Sequence, residues 1–596
     1  MAITKFQVPF SRKPAGHEAE EPTRAADIET PADEKTVTPN EKEADTSSED
    51  IPAGAMQSGV QKMQAVTQVW SKWSLAAVLC LLWLLTLANG FRSAILYSLT
   101  PYATSSFQSH SLLTVINVVS SAMTSALYIP VAKLLDVWGR AEGWLFMVML
   151  STLGLIMMAA SKNLPTYCAA EVFYSVGFGG LNYILCVIAA DVTNLRNRGI
   201  AFAFTSSPYM ITAFAGSKAA EKFLENVNWR WGFGAFAIII PIVASPTYVV
   251  LKAAMIKAEK QGLITPRERS GRTLVQNIKH YFFELDIPGV ILLAGGLTVF
   301  LLPFTLASRA PNGWKTDYII AMIVTGFVVI VLFVLYQAYV APKPFLKYEF
   351  LTDRTVIGAC LLDANYQMSY YCWNSYFSSF LQVVSNLDVA EAGYVGSTFQ
   401  VVSGVLLFCV GYAIRRTGYF KWLLWISVPL YIFAQGLMIH FRQPNQYIGY
   451  IVMCEIFISV AGACFILIMQ LAVLAAVDHQ HVASALAVLF ISGGIGGAVG
   501  NAISGAIWTN TFLPSLMRNL PVSALPDVIT IYSSLPAQLA YPVNSEERLA
   551  IQRSYGYAQT RMLAAGTGLM VLTFVWVALI KNYNVGKMKQ TKGVVF

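Results

Sequence analysis

The chain runs to 596 residues, of which 56% are hydrophobic and only 12% charged, with a formal net charge of +8. Runs of about 18 to 25 apolar residues, each long enough to cross roughly 30 Å of hydrocarbon, recur along most of it and exclude a soluble multidomain protein. An enzyme has no support either, because no nucleophile, nucleotide or metal constellation is present.

Residues 1–72 hold twelve acids against eight bases and are rich in Glu, Thr and Pro, which predicts a disordered tail. It lacks a basic start followed by a short apolar core, so no cleavable signal peptide is expected and the first span acts as the insertion signal. Apolar windows and their polar breaks then place spans at 73–97, 111–132, 143–160, 166–190, 200–220 and 230–252, a first six-helix bundle over 73–252. A basic loop at 253–285 reads as a topology determinant or lipid-headgroup contact, not a nucleic-acid site. Two spans at 286–307 and 318–340 form an added hairpin over 286–340. Six more, at 355–384, 392–414, 421–440, 446–476, 481–510 and 561–581, make a second bundle over 341–581, with a long loop at 511–560 and a short tail at 582–596.

Fourteen helices result, an all-α polytopic membrane protein. Loops after the even-numbered spans hold about twice as many Lys and Arg as the others, so the positive-inside bias places both termini in the cytoplasm and 511–560 outside. That outer loop contains no Asn-x-Ser/Thr sequon. All eight cysteines fall in apolar runs without a CxxC pair and read as small buried hydrophobes. His479 and His481, two residues apart, cannot share a helical face, so no metal site is expected there.

Polar side chains inside spans turn towards the bundle interior or a watery passage, because lipid exposure is costly. The ninth span is the richest. Asp363, Gln367, Tyr370 and Asn374 recur at spacings of four, three and four and share one face, with Tyr366 and Phe377 beside it and Trp373 in an aromatic belt with Tyr371 and Tyr376. Broad rigid rings with a donor suit a large, neutral, amide-rich ligand; interfacial anchoring is the alternative. Span 12 offers Glu455 and Ser459, span 4 offers Glu171, Tyr174 and Asn182, and span 1 offers Asn89 and Arg92. In a low-dielectric passage the charged form of a carboxylate is disfavoured, which makes Glu171, Asp363 and Glu455 candidate proton carriers, or else neutralised partners of Arg92.

Two stretches read as mechanical. TSSPYMITAFAG at 205–216 breaks a helix at Pro208, either a gating bend or a packing feature, and SGGIGGAVGNAISG at 492–505 stacks Gly493 over Gly497 and Gly496 over Gly500 as a helix-packing face. Asn544-Ser-Glu-Glu547 is an N-cap candidate opening a short helix through Ile551 and Tyr555.

AKLLDVWGRAEGW at 132–144 falls in the cytoplasmic turn between spans 2 and 3. Gly139 permits a tight reversal beside Arg140, and Asp136 sits one turn past the membrane, so these charges can latch the inner face when two halves close. Ala132-x-x-x-Asp136-x-x-Gly139-Arg140 resembles the signature between the second and third helices of the major facilitator superfamily. GYAIRRTGYFK from Gly411 is the corresponding turn of the second half, with Arg415 where the Asp would stand and Arg416 after it. DVTNLRNRG at 191–199, carrying Asp191 and Arg198, resembles the loop after the fourth helix of that superfamily, and LDIPG at 285–289 the seventh-helix start of its fourteen-span members.

Longer stretches are similar to the fungal siderophore-iron transporter family: PYATSSFQSHSLLTVI at 101–116, LLPFTLA at 301–307, NSYFSSFLQVV at 374–384 and YPVNSEERLAIQRSYGYAQTRM at 541–562. The resemblance implies a major facilitator fold of two six-helix bundles plus two added spans, and proton-coupled import of ferric siderophores, of hydroxamate type, by alternating access. It implies a monomer with the siderophore, protons and the bilayer as partners, no nucleic acid, and no cofactor of its own, since iron arrives wrapped by its chelator. The plasma membrane is the expected residence, with endosomal vesicles as the alternative, and the last outer loop, with the short helix opened at Asn544, is expected to lie as a lid over the outer mouth. Competing readings are a multidrug or peptide-like substrate/proton antiporter and a non-transporting receptor.

Overall fold

The structure, a computed structural model, describes residues 58–263, 273–341, 352–477 and 481–586; His479 lies outside them, as does the side chain of Asp136. Every regular element among the described residues is helical. The first half consists of α2 (Lys72–Ser106), α3 (Leu113–Val137), α4 (Arg140–Ala160), α5 (Leu164–Asp191), α6 (Leu195–Ser206), α7 (Pro208–Asn226) and α8 (Trp229–Lys260), preceded by a short α1 (Ser58–Val69). After α9 (Leu274–Glu284) comes the hairpin of α10 (Ile287–Leu306) and α11 (Asp317–Leu335). The second half begins with α12 (Arg354–Asn374), α13 (Phe377–Val383), α14 (Val389–Gly396) and α15 (Thr398–Thr417). It continues with α16 (Lys421–Phe441), α17 (Ile448–Ala475) and α18 (Val482–Asn519), the short α19 (Val528–Ser533) and α20 (Leu535–Leu539), then α21 (Glu546–Met570) and α22 (Thr573–Leu579).

Twelve helices among the described residues are long and apolar enough to cross a membrane. The two remaining expected positions are helical but fall short of that measure for local reasons. α6 and α7 are separated at Ser207, where Pro208 removes a backbone donor, and the end of α7 carries Lys218, Glu221, Lys222 and Glu225. α12 is 21 residues long but holds Asp363, Asn365, Gln367 and several tyrosines.

Close helix contact is set by glycine. Gly154 and Gly177 bring α4 and α5 together backbone to backbone, and Gly496 and Gly500 of α18 lie on the Ala364 and Met368 carbonyls of α12, as the glycine stripe predicts. The added hairpin packs through Val290, Leu293, Ala294 and Leu297 of α10 against Ala122, Ala126 and Ile129 of α3 and Ile491 of α18, so it rests on a seam between the halves.

Four expectations need correction. The end of the supposedly disordered tail is the helix α1, whose Met63 and Val66 are buried beside Ala141, Leu251 and Met255. The 511–560 loop is shorter than expected, because α18 runs on to Asn519 and α21 starts at Glu546. The N-cap there is Ser545, accepting from the Arg548 N–H at 3.1 Å, and the helix it opens is continuous with the last membrane helix instead of short. Cys80 and Cys409 are exposed on the helix surface.

Candidate functional site

We call the face carrying the α3–α4 turn inner and the opposite one outer, following the charge asymmetry. At the inner face the turn itself is a Gly139 with φ 117°, where a side chain would be strained, and it allows α4 to start at Arg140 directly after α3. Arg140 Nε donates to Asp191 Oδ2 at 3.0 Å, with both side chains buried, and its Nη1 donates to the Leu135 carbonyl. Arg198 is fully buried and donates to the Ala190 and Thr193 carbonyls, closing the end of α5. Lys252 of α8 pairs with Glu142 at 2.6 Å. Each of these pairs joins elements of the first half. Arg415 and Arg416 in the second half are exposed.

Contact between the halves at this face is made by other groups. Gly199 of α6 lies against Gly411 of α15, and the Tyr183 hydroxyl donates to the Ala483 carbonyl at 2.6 Å. The outer face is closed too. Tyr102 of α2 donates to the Gln382 side chain, Tyr376 donates to the Ser111 carbonyl at 3.0 Å, and Gly393 packs on Ser217. Over it lies the 520–545 segment: the Leu535 N–H donates to Ser105 Oγ, and Arg548 and Gln552 donate to the carbonyls of Gln382, Val383 and Val384 at the end of α13.

Between these closures sit the polar side chains. In the first half Arg92 of α2 is fully buried, 3.9 Å from the Phe178 ring centroid and 4.7 Å from that of Tyr174. None of its guanidinium nitrogens has a hydrogen-bond partner. Glu171, one turn below Tyr174, accepts from Ser175 at 3.0 Å and lies within electrostatic reach of Arg92; Asn89, one turn before Arg92, is buried with its Oδ1 unpartnered, and Asn182 is half-buried. A buried cation without an acceptor is costly, and ring faces offset only part of that.

In the second half the α12 face divides. Asp363 is packed against Gly493 of α18, beside Gln367. Tyr366 turns into the helix bundle against Tyr431 and Phe465, and Ser459 caps back on the Glu455 carbonyl. Gln367, Tyr370 and Asn374 remain half-buried, and Tyr370 stacks edge-on with Trp373 and near Phe399. A group that the spacing argument missed lies at the end of α16: Arg442, fully buried, stands over Phe377 at 4.2 Å, Phe380 at 5.0 Å and Trp373 at 5.5 Å. It follows the last apolar residue of its span in FRQPNQ, so it reads as a loop residue until the helix packing is seen. Among the described residues no group of three metal-ligating side chains gathers.

The Major Facilitator Superfamily pattern matches residues 82–501. The siderophore iron transporter mirB of Emericella nidulans is 80% identical over 96% of this chain and 95% of its own length. The chain belongs to the fungal siderophore-iron transporter family of that superfamily. Its members are transporters, not enzymes. The MFS siderochrome iron transporter B of Aspergillus fumigatus is 58% identical over the whole of this chain and 96% of its own. Crystal structures share the fold at low identity. A peptide transporter POT bound to alafosfalin has a TM-score of 0.54 at 14% identity, covering 88% of this chain and 99% of its own. A bacterial homologue of the human lysosomal transporter Spinster, inward-facing and unoccupied, has 0.52 at 15%, covering 86% and 98%.

Proposed function

We propose that this protein imports ferric siderophores of hydroxamate type across a fungal plasma membrane, in symport with protons, by alternating access between its two halves. The observation that carries the reading is its 80% identity, nearly end to end, to a transporter named for siderophore iron. Two aromatic-walled polar clusters, Arg92 with Tyr174 and Phe178 and Arg442 with Trp373 and Phe377, support it, since a large oxygen-rich chelate needs broad ring faces and donors aimed at its oxygens. Iron is then cargo within its chelator and the protein holds no cofactor. It works as a monomer with both termini in the cytoplasm. Glu171, Asp363 and Glu455 are the proton carriers to test, and Asn89, Asn182, Gln367, Tyr370 and Asn374 the polar lining.

The test is radiolabelled iron uptake in yeast lacking its own siderophore uptake, using ferrichrome, ferrioxamine B and a catecholate complex, with and without a protonophore. Accumulation of the hydroxamate complexes that the protonophore abolishes is expected. An antiporter exporting drugs or peptides would not restore accumulation, and a receptor would bind at the surface without internal iron.

A further inference from the structure

Where α2 of the first half packs on α14 of the second, three polar groups lie within electrostatic reach of one another without bonding. Arg442 gives one N–H, from Nη2, to the Trp373 carbonyl at 3.2 Å, while its Nε and Nη1 have no partner. Glu455 of α17 is 2% exposed, and its Oε1 is also unpartnered although the Arg442 guanidinium is the opposite charge it feels. Tyr97 of α2 lies within electrostatic reach of both from across the seam, its ring against Gly396 of α14 and its hydroxyl buried and unpartnered. Among the described residues no hydrogen bond or ion pair joins the three.

Buried donors and acceptors almost always have partners, so a guanidinium with two nitrogens unspent, a carboxylate oxygen and a phenol within reach of one another mark a polar site with bonding capacity for a ligand. The donor set is specific. A guanidinium cannot deprotonate and presents N–H groups in a plane, which suits carbonyl and hydroxamate oxygens bearing partial negative charge. Phe377, Phe380 and Trp373 wall it with ring faces that exclude water and strengthen each bond formed there.

We propose that Arg442 and Tyr97 form a subsite that grips a carbonyl or hydroxamate oxygen of the ferric complex, and that the Glu455 carboxylate, once it has lost its proton, competes with that oxygen for Arg442. This rests on the transport reading above. Other titratable groups near the pair are Tyr97 on α2, Tyr370 on α12, Tyr431 on α16 and Cys454 on α17, so among the described residues Glu455 is the acid beside Arg442. A proton arriving from outside neutralises Glu455 and leaves Arg442 to the substrate. Loss of that proton to the inner side restores the carboxylate, which reclaims Arg442 and displaces the substrate oxygen. Proton and substrate therefore travel together through competition for one guanidinium.

The test uses the full-length protein in detergent, with binding of radiolabelled ferrichrome and ferrioxamine B measured by equilibrium dialysis at acidic and neutral pH, beside uptake in yeast. Wild type is expected to bind more tightly in acid. Arg442→Gln should weaken binding by about tenfold, the loss of one charge-assisted hydrogen bond, and remove its pH dependence. Tyr97→Phe, which keeps the ring, should weaken it by about threefold. Glu455→Gln should bind at neutral pH as tightly as wild type does in acid, with a flat profile. If Arg442→Gln does not fold, Tyr97→Phe and Glu455→Gln decide the matter. Wild-type uptake with variants that match wild-type affinity and pH profile would overturn the subsite while leaving the transport reading intact; absence of uptake and binding by wild type would overturn both.

Discussion

Arg140 and Asp191 are 4% and 2% exposed and 3.0 Å apart, a buried ion pair with the Arg198 guanidinium also within electrostatic reach of the carboxylate. Arg140→Gln should take from the buried carboxylate its hydrogen-bonded cation and destabilise the protein by about 3–5 kcal/mol, whereas adding Asp191→Asn should recover much of the loss. Thermal unfolding of the purified single and double variants measures both. Tyr370→Ala removes a half-buried ring beside Trp373 and Phe399 and should weaken ferric-siderophore binding by about tenfold, read by the same dialysis. At this scale the sequence was partly legible. Spacing put Asp363, Gln367, Tyr370 and Asn374 on one helical face, but only packing decides what that face meets, and Asp363 meets Gly493 while Tyr370 stays half-buried. Arg442 was illegible because it follows the end of its helix, and Tyr97 because it is one more ring in an apolar run.

Helices behave as units where glycine or a cap fixes their contacts. A β-carbon on Gly500 would lie 2.5 Å from the Met368 carbonyl oxygen, so Gly500→Leu should push α18 off α12 and cost about 1–3 kcal/mol, visible as a lower melting temperature than a Leu placed at exposed Met517. Outside the membrane, Asp353 caps α12 through the Thr355 and Val356 N–H groups and pairs with Lys581 at 3.2 Å. Partial burial works against its charge, yet these bonds and the Lys581 ammonium hold its carboxyl below the usual range. A depressed folded value means stability present above the unfolded value and lost as pH falls through the folded one. Unfolding temperature should therefore drop across the acidic carboxylate range, and Asp353→Asn should lessen that drop. Element types were legible because apolar runs of this length have few alternatives. Breaks were less evenly so: Pro208 marked the one between α6 and α7, whereas the acid-rich composition of residues 1–72 outweighed the apolar stripe of α1.

As a whole the molecule is caught with both faces shut, its polar side chains between two closures of different chemistry. The outer one is knitted across the halves by hydrogen bonds from Tyr102, Tyr376 and the Leu535 N–H. At the inner one two glycines meet, and the place a β-carbon on Gly411 would take is 3.1 Å from the Gly199 carbonyl carbon. Gly411→Leu is expected to leave siderophore binding within about twofold of wild type while cutting uptake by about tenfold or more, measured side by side. Two bare backbones touching there have no knob to withdraw from a hole, so at that point the doorway can swing apart with no side chain in its way. A single methyl group would act as a doorstop.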